Sequence, residues 1–240
     1  MNLSLCCISL RLQQQGLKFQ HMTYTRFEAL PRSEALEILT QRIANNFAVT
    51  AKVIHHCHAM GCKGYRIPSS ILPVINHPDV NIDVQQLPHY DTLIKPQIDA
   101  VKQAIKDTQL RISAHPSEFI SLTNADANVT NNSIRDLEQH ALIFDLFDLP
   151  QSYEAPLNIH CRRDGDPEAL SNQFISNLQR CSNGVKKRLV LEINDNVDGT
   201  WHMQNLVKYF HNKIGIPITF DNLHHKFCHG GISEQQAFED

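Results

Sequence analysis

No stretch of this chain approaches the roughly 18–20 apolar residues of a membrane-crossing helix, so no membrane contact is expected. Cys-x-x-Cys pairs are also missing. The seven cysteines (Cys6, Cys7, Cys57, Cys62, Cys161, Cys181 and Cys228) are odd in number. That favours reduced thiols in a reducing compartment, the cytoplasm, over a disulfide framework. Positive charge is not in excess: 22 Lys and Arg against 25 Asp and Glu leave a net charge of −3. No global basic field draws the protein onto nucleic acid, and such binding would need a local patch. No Gly-x-Gly-x-x-Gly follows the first apolar run, which counts against a dinucleotide-binding domain and a nucleotide cofactor. The apolar start, Met1 to Arg11, lacks a basic leader and a small-residue cleavage site, so it reads as a buried strand. Linkers and low-complexity tracts are absent as well, and the 240 residues read as one domain, 1–240.

What the chain does contain is a repeated strand–helix alternation. Strands are expected at 3–9, 64–67, 110–114, 157–159, 189–191 and 216–220. Between them, Pro31-Arg-Ser33-Glu34 opens a long helix with Leu36, Leu39, Ile43, Phe47, Val53 and Ile54 at helical spacing. Gly61 ends it, and a kink is expected near Asn45-Asn46. Residues 13–25 and 74–88 read as loops, and Tyr90 to Asp107 as a second amphipathic helix. Ser133 is expected to cap a helix reaching Phe147 after a polar loop at 121–132. Asp166-Pro167 opens the next helix, Met203 to Asn212 forms another, and one more begins near Ser233. The class is α/β, with parallel strands and outer helices. Periods of roughly 30–40 residues suit a TIM-type barrel at least as well as an open doubly wound sheet. A complete barrel has eight strand–helix units and six are counted, so the C-terminal quarter is expected to be absent from the sequence.

In such a barrel, chemistry sits at the C-terminal ends of the strands. Four apolar runs here end on or just before a metal-competent side chain: His115, His160, Glu192, and Asp221 with His224 and His225 behind it. Any one of these alone is as easily a core residue bonded to backbone. Their recurrence at equivalent positions is what points to a centre for hard or borderline divalent metals. A buried carboxylate at Glu192 must be paired, protonated or metal-bound. Three residues beyond Asp221, His224 can return to the same cavity, while His225 is placed to support a neighbour. Arg162 and Arg163 follow His160 and are candidates for phosphate contact. Lys186-Lys187-Arg188 lie at the opposite end of the fifth strand and read as a solvated face.

At this point the residues carry a resemblance. Arg111-Ile-Ser-Ala-His-Pro-Ser-Glu-Phe119 resembles the third-strand element of the UV-damage endonucleases, and Asn132-Ser-Ile-Arg-Asp-Leu-Glu138 the helix after it. Leu189-Val-Leu-Glu-Ile-Asn-Asp195 and Phe220-Asp-Asn-Leu-His-His225 are similar to that family's fifth and sixth strand ends. Arg66-Ile-Pro-Ser-Ser70, Pro73 and His77-Pro78 fit the same pattern. The resemblance implies a TIM barrel with several divalent ions, up to three and commonly manganese, that nicks damaged double-stranded DNA 5′ to a lesion. It implies His115, His160, Glu192, Asp221 and His224 as metal ligands, with Glu192 and Asp221 catalytic. Glu118 and Phe119 fall where the family probes the damaged bases. Ser9, Ser70, Arg162 and Arg163 complete the expected DNA contacts, and a monomer is expected.

Three departures stand beside it. Ser70 occupies a place where some members have a histidine ligand, and Glu118 replaces a glutamine. The family's last ligands, including a lysine that can be carboxylated, belong to strands seven and eight, which this sequence does not supply. Two rival readings follow from the same residues. One is a metal-dependent sugar isomerase or epimerase on the same barrel. The other is a truncated chain that binds DNA or metal without catalysis.

Overall fold

Apolar burial builds the second and third strands, whereas the first, expected to be buried, has no buried residue over Ser4–Cys6. Tyr65 and Ile67 of β2 (Gly64–Ile67) are buried and lie in register with Ile112 and Ala114 of β3 (Arg111–Ala114), also buried. A computed structural model describes residues 3–239, which group into two compact units. The first runs to Ala114 and takes in Ile143–Pro150; the second holds His115–Leu142 and the residues from Gln151 onward.

In the first unit, β1 (Ser4–Cys6) pairs parallel with β2, and β2 with β3. Gly64 allows close approach there: a Cβ would force the Ser4 hydroxyl, 2.5 Å away, to turn aside and would lie 3.1 Å from the Arg111 carbonyl. The expected loop at 13–25 is bounded by two short helices, α1 (Leu10–Gln14) and α2 (Tyr24–Glu28), capped by the hydroxyls of Ser9 and Thr23. Helix α3 (Arg32–Ala59) buries Leu39, Ile43, Phe47, Val53 and Ile54. It is unbroken at Asn45-Asn46, where a kink was expected. The buried Asn46 amide instead satisfies itself sideways, donating to the carbonyls of Gln20 (3.0 Å) and Ile71 (3.1 Å) and accepting from the Gln20 N–H (2.7 Å). The helical ladder is therefore left intact. The 74–88 segment is irregular apart from one 3₁₀ turn at Val84–Gln86, and a π-helical turn, Tyr90–Ile94, leads into α4 (Lys95–Thr108).

Helix α5 (Ala127–Leu146) begins six residues before the expected Ser133 cap. Asp126 is the residue that starts it, accepting from the N–H groups of Asn128 (2.7 Å) and Val129 (3.2 Å). The Ser133 hydroxyl, already inside the helix, donates to the Val129 carbonyl and accepts from the Ser121 N–H.

The second unit carries β4 (Leu157–His160), β5 (Leu189–Glu192) and β6 (Ile218–Thr219), again parallel. Every residue of β4 and β5 is buried, as in a parallel sheet covered on both faces. Asp166 caps α6 (Pro167–Gln179) as expected. α7 (Asn183–Lys186) follows, and then one continuous helix from α8 (Met203–Leu206) through a π-helical turn to α9 (Asn212–Ile214). α10 (Asn222–Phe227) and α11 (Glu234–Glu239) complete the unit. Phe174, Trp201 and Phe210 pack ring to ring in its core.

Arg188 corrects the solvated-face expectation. It is wholly buried, and its guanidinium lies 3.4 Å from the Ala141 carbonyl. The adjacent Lys187 stays exposed. The reason is local: Arg188 directly precedes a fully buried strand, and Gly184 leaves room beside its head. No helix among the described residues is long and apolar enough to cross a membrane.

Candidate metal centre

Parallel register puts the first two donors side by side. His160 ends β4, Glu192 ends β5, and the two are directly paired. Asp221 follows β6 and caps α10, accepting from the N–H groups of Leu223 (2.8 Å) and His224 (3.0 Å). That cap fixes His224 in the first turn of the helix, so a strand end and a helix start deliver a carboxylate and an imidazole together.

Glu192 sits at the middle. One carboxylate oxygen is 3.8 Å from His115 Nε2 and the other 3.3 Å from His224 Nδ1. The imidazoles of His115 and His160 have centroids 5.1 Å apart, and those of His160 and His224 are 5.2 Å apart. Two overlapping groups result, His115/His160/Glu192 and Glu192/Asp221/His224, each with donor atoms within 4.8 Å of one another. Glu192 belongs to both, and it is only 4% exposed.

Backbone carbonyls orient the rings. His115 Nδ1 is 3.0 Å from the Pro116 carbonyl, and His160 Nδ1 is 3.0 Å from that of Ile193. A carbonyl only accepts, so these Nδ1 atoms carry the proton and leave each Nε2 lone pair for a ligand role. Burial, followed by the nearby His115 ring and the Arg162 charge, lowers the His160 pKa to about 4. The ring is therefore neutral near pH 7, as metal ligation requires. Burial alone would raise the Asp221 carboxyl. The His224 N–H, the His224 ring and the Leu223 N–H outweigh it and hold the group below its ordinary value. Imidazoles and carboxylates without a thiolate fit hard or borderline divalent ions, and a shared carboxylate suits a pair of them.

Around this centre the other expected residues divide. Phe119 is 81% exposed, not a core residue, and Glu118 beside it is exposed too. Arg162, expected to reach for phosphate, is already engaged. Its Nε donates to the Glu118 carbonyl (2.8 Å) and its Nη1 to the Asp195 carboxylate (3.3 Å). Arg163 is exposed, and its carbonyl accepts from the Trp201 indole (2.7 Å). His225 is buried against Phe220, and its Nδ1 has no hydrogen-bond partner among the described residues. Ser9 and Ser70 belong to the first unit, the former capping α1 and the latter in the 3₁₀ turn Ser69–Ile71.

Asn158 was not anticipated. Its amide donates to the Glu192 carboxylate, and it lies on β4 two residues before His160. The two-residue period of a strand, which puts Asn158 on the same face as His160, is the signal that could have found it.

A family profile described as UV-endonuclease UvdE matches residues 1–239. The chain belongs to the UvdE family. A UV DNA damage endonuclease of Bacillus cereus (strain B4264) is 30% identical over 205 residues, which cover 85% of this chain and 61% of that protein. The chain thus spans less than two thirds of the length of the curated UvdE relatives it matches. A crystal structure of SacUVDE superimposes on the whole of this chain and 75% of its own, with TM-score 0.81 at 23% identity. That likeness shows the fold: the six strand–helix units are those of the UvdE TIM-type barrel. More distantly, the 3-keto-D-glucoside 4-epimerase YcjR of E. coli aligns with 80% of this chain and 69% of its own at TM-score 0.52 and 12% identity.

Proposed function

We propose that this chain carries the endonuclease centre of a UV-damage repair enzyme, cutting a phosphodiester of damaged duplex DNA 5′ to a UV photoproduct. The carrying observation is the pair of donor groups that share Glu192, in a member of the UV-endonuclease family. His115, His160, Glu192, Asp221 and His224 hold the divalent ions, with manganese the preferred one. When bound, such ions supply positive charge to the scissile phosphate and make water acidic enough to attack near neutral pH.

The chain's own residues do the rest. Asn158 holds the Glu192 carboxylate in place, and the carbonyls of Pro116 and Ile193 hold the His115 and His160 rings. Phe119 offers an exposed ring to stack at the lesion, where disturbed base stacking lowers the cost of opening the duplex. Arg162 braces the Glu118 backbone, and the exposed Arg163 can meet phosphate; Ser9 and Ser70, in the first unit, are separate DNA contacts. The domain acts as a monomer in the cytoplasm.

Manganese-dependent nicking of UV-irradiated duplex tests the reading. Equal nicking by the parent and Asp221→Ala sinks it. Turnover of small ketoses without duplex binding would favour an epimerase, for which the exposed Phe119 has no task. Fewer than one tightly held ion per chain would favour binding without catalysis.

A further inference from the structure

A second reactive cluster lies in the first unit, on residues given no role above. Cys6 ends β1, and Cys7 follows it in the left-handed region at φ 58°. Few non-glycine residues adopt that conformation, and here both backbone groups of Cys7 are pinned. Its N–H donates to the Arg66 carbonyl (2.8 Å), and its carbonyl accepts from the hydroxyl of the fully buried Tyr65 (3.0 Å). The turn brings the two sulfurs to 3.7 Å. Arg66, which pairs with Cys6 across the β1–β2 register, lays its guanidinium on the Cys6 sulfur, with Nη2 at 2.7 Å and Nε at 3.2 Å. The Cys6 sulfur thus meets two N–H donors and a positive charge at an exposed position. That same charge disfavours a soft cation between the thiols.

The geometry points to Cys6 and Cys7 as a peroxide-oxidised thiol pair, Cys6 being the attacking sulfur and Cys7 the resolving one. The Cys6 thiolate attacks one oxygen of hydrogen peroxide, forming an S–O bond as the O–O bond breaks. The sulfur is oxidised to a sulfenic acid, and the departing hydroxide takes up the proton lost by the thiol, giving water. The Cys7 sulfur then attacks the Cys6 sulfur. An S–S bond forms, the S–O bond breaks, and the hydroxyl leaves as water with the Cys7 proton. Two thiols and one peroxide become one disulfide and two waters. Neighbouring Cα atoms lie only about 3.8 Å apart, short of the roughly 4.4–6.8 Å usual for disulfides, so this bridge is strained and readily reduced. The product is a reversible mark.

The four buried thiols are disadvantaged. Burial raises Cys57 and Cys228 to about 11, Cys181 to about 12, and Cys161 well above its ordinary value. Burial also raises Cys7, consistent with a resolving thiol that keeps its proton until the second step.

The experiment is limited hydrogen peroxide on the whole protein, followed by alkylation and peptide mass mapping. The expected product is a peptide holding Cys6 and Cys7 that has lost two hydrogens, resists alkylation and recovers with dithiothreitol. In Arg66→Met the rate should fall about tenfold, with the fold checked by circular dichroism. In Cys7→Ser, which leaves Arg66 in place, oxidation should stop at a Cys6 sulfenic acid that dimedone traps. Oxidation of Cys62 or a buried thiol before Cys6 would overturn the assignment. So would an unchanged rate in folded Arg66→Met, or a Cys6 sulfinic acid formed while Cys7 stays free.

Discussion

Asp221 is asked to do two jobs, and two substitutions separate them. Its Oδ1 accepts from the N–H groups of Leu223 and His224, which caps the six-residue α10. Replacing such a cap with alanine costs about 1 kcal/mol, and the charge at a helix start adds about 0.5 kcal/mol more. Asparagine keeps an oxygen for the cap and loses only the smaller part. In EDTA, Asp221→Ala should therefore unfold roughly 3–6 °C below the parent, while Asp221→Asn stays near it. Manganese binding should divide differently. Both variants lose the carboxylate and should bind at least about tenfold more weakly. Asp221→Ala should be the weaker, because without the cap His224 is no longer held beside Glu192. Thermal denaturation in EDTA and manganese titration by calorimetry measure the two effects independently. If Asp221→Asn binds manganese as tightly as the parent, Asp221 is not a ligand. If Asp221→Ala melts with the parent in EDTA, the cap argument is wrong.

Stability without metal should fall with acid because of His160, whose pKa drops from the ordinary 6.5 to about 4 on folding. The unfolded chain binds this proton below pH 6.5 and the fold resists it until about pH 4, so the stabilisation is complete above 6.5 and is lost through that window, up to about 3 kcal/mol. Urea melts in EDTA at several pH values should show that slope, and a His160→Gln variant should lack it. Asn158→Ala frees the Glu192 carboxylate from its amide donor. Manganese affinity should drop about 10–100-fold, and an unchanged affinity would remove Asn158 from the centre. Phe119→Ala removes an 81% exposed ring, so the melting temperature should hold while nicking of UV-irradiated duplex falls. A loss of stability in that variant would mean the ring packs against the protein.

The strand ends were readable because parallel strand–helix repeats leave short apolar runs punctuated by turn residues. His115, His160, Glu192, Asp221 and His224 could thus be named from position alone. Element starts were less legible wherever two signals competed. Both Asp126 and Ser133 can cap a helix, and the choice fell to Asp126 because Ser121 holds the Ser133 hydroxyl from across the chain. Asn46 looked like a helix breaker until Gln20 and Ile71 were found to satisfy it.

By itself, then, the order of residues determined the α/β repeat, its parallel strands and the metal-competent side chains at their ends, since these follow from local period and from one residue type per strand. Tertiary structure alone decided that Glu192 is shared by both donor groups, that Asn158 holds it, that Arg162 braces Glu118, and that Arg188 is buried. Each of those depends on register and on packing between segments far apart in the chain, such as the 34 residues separating Asn158 from Glu192 and the 44 separating Glu118 from Arg162. No local pattern carries that information.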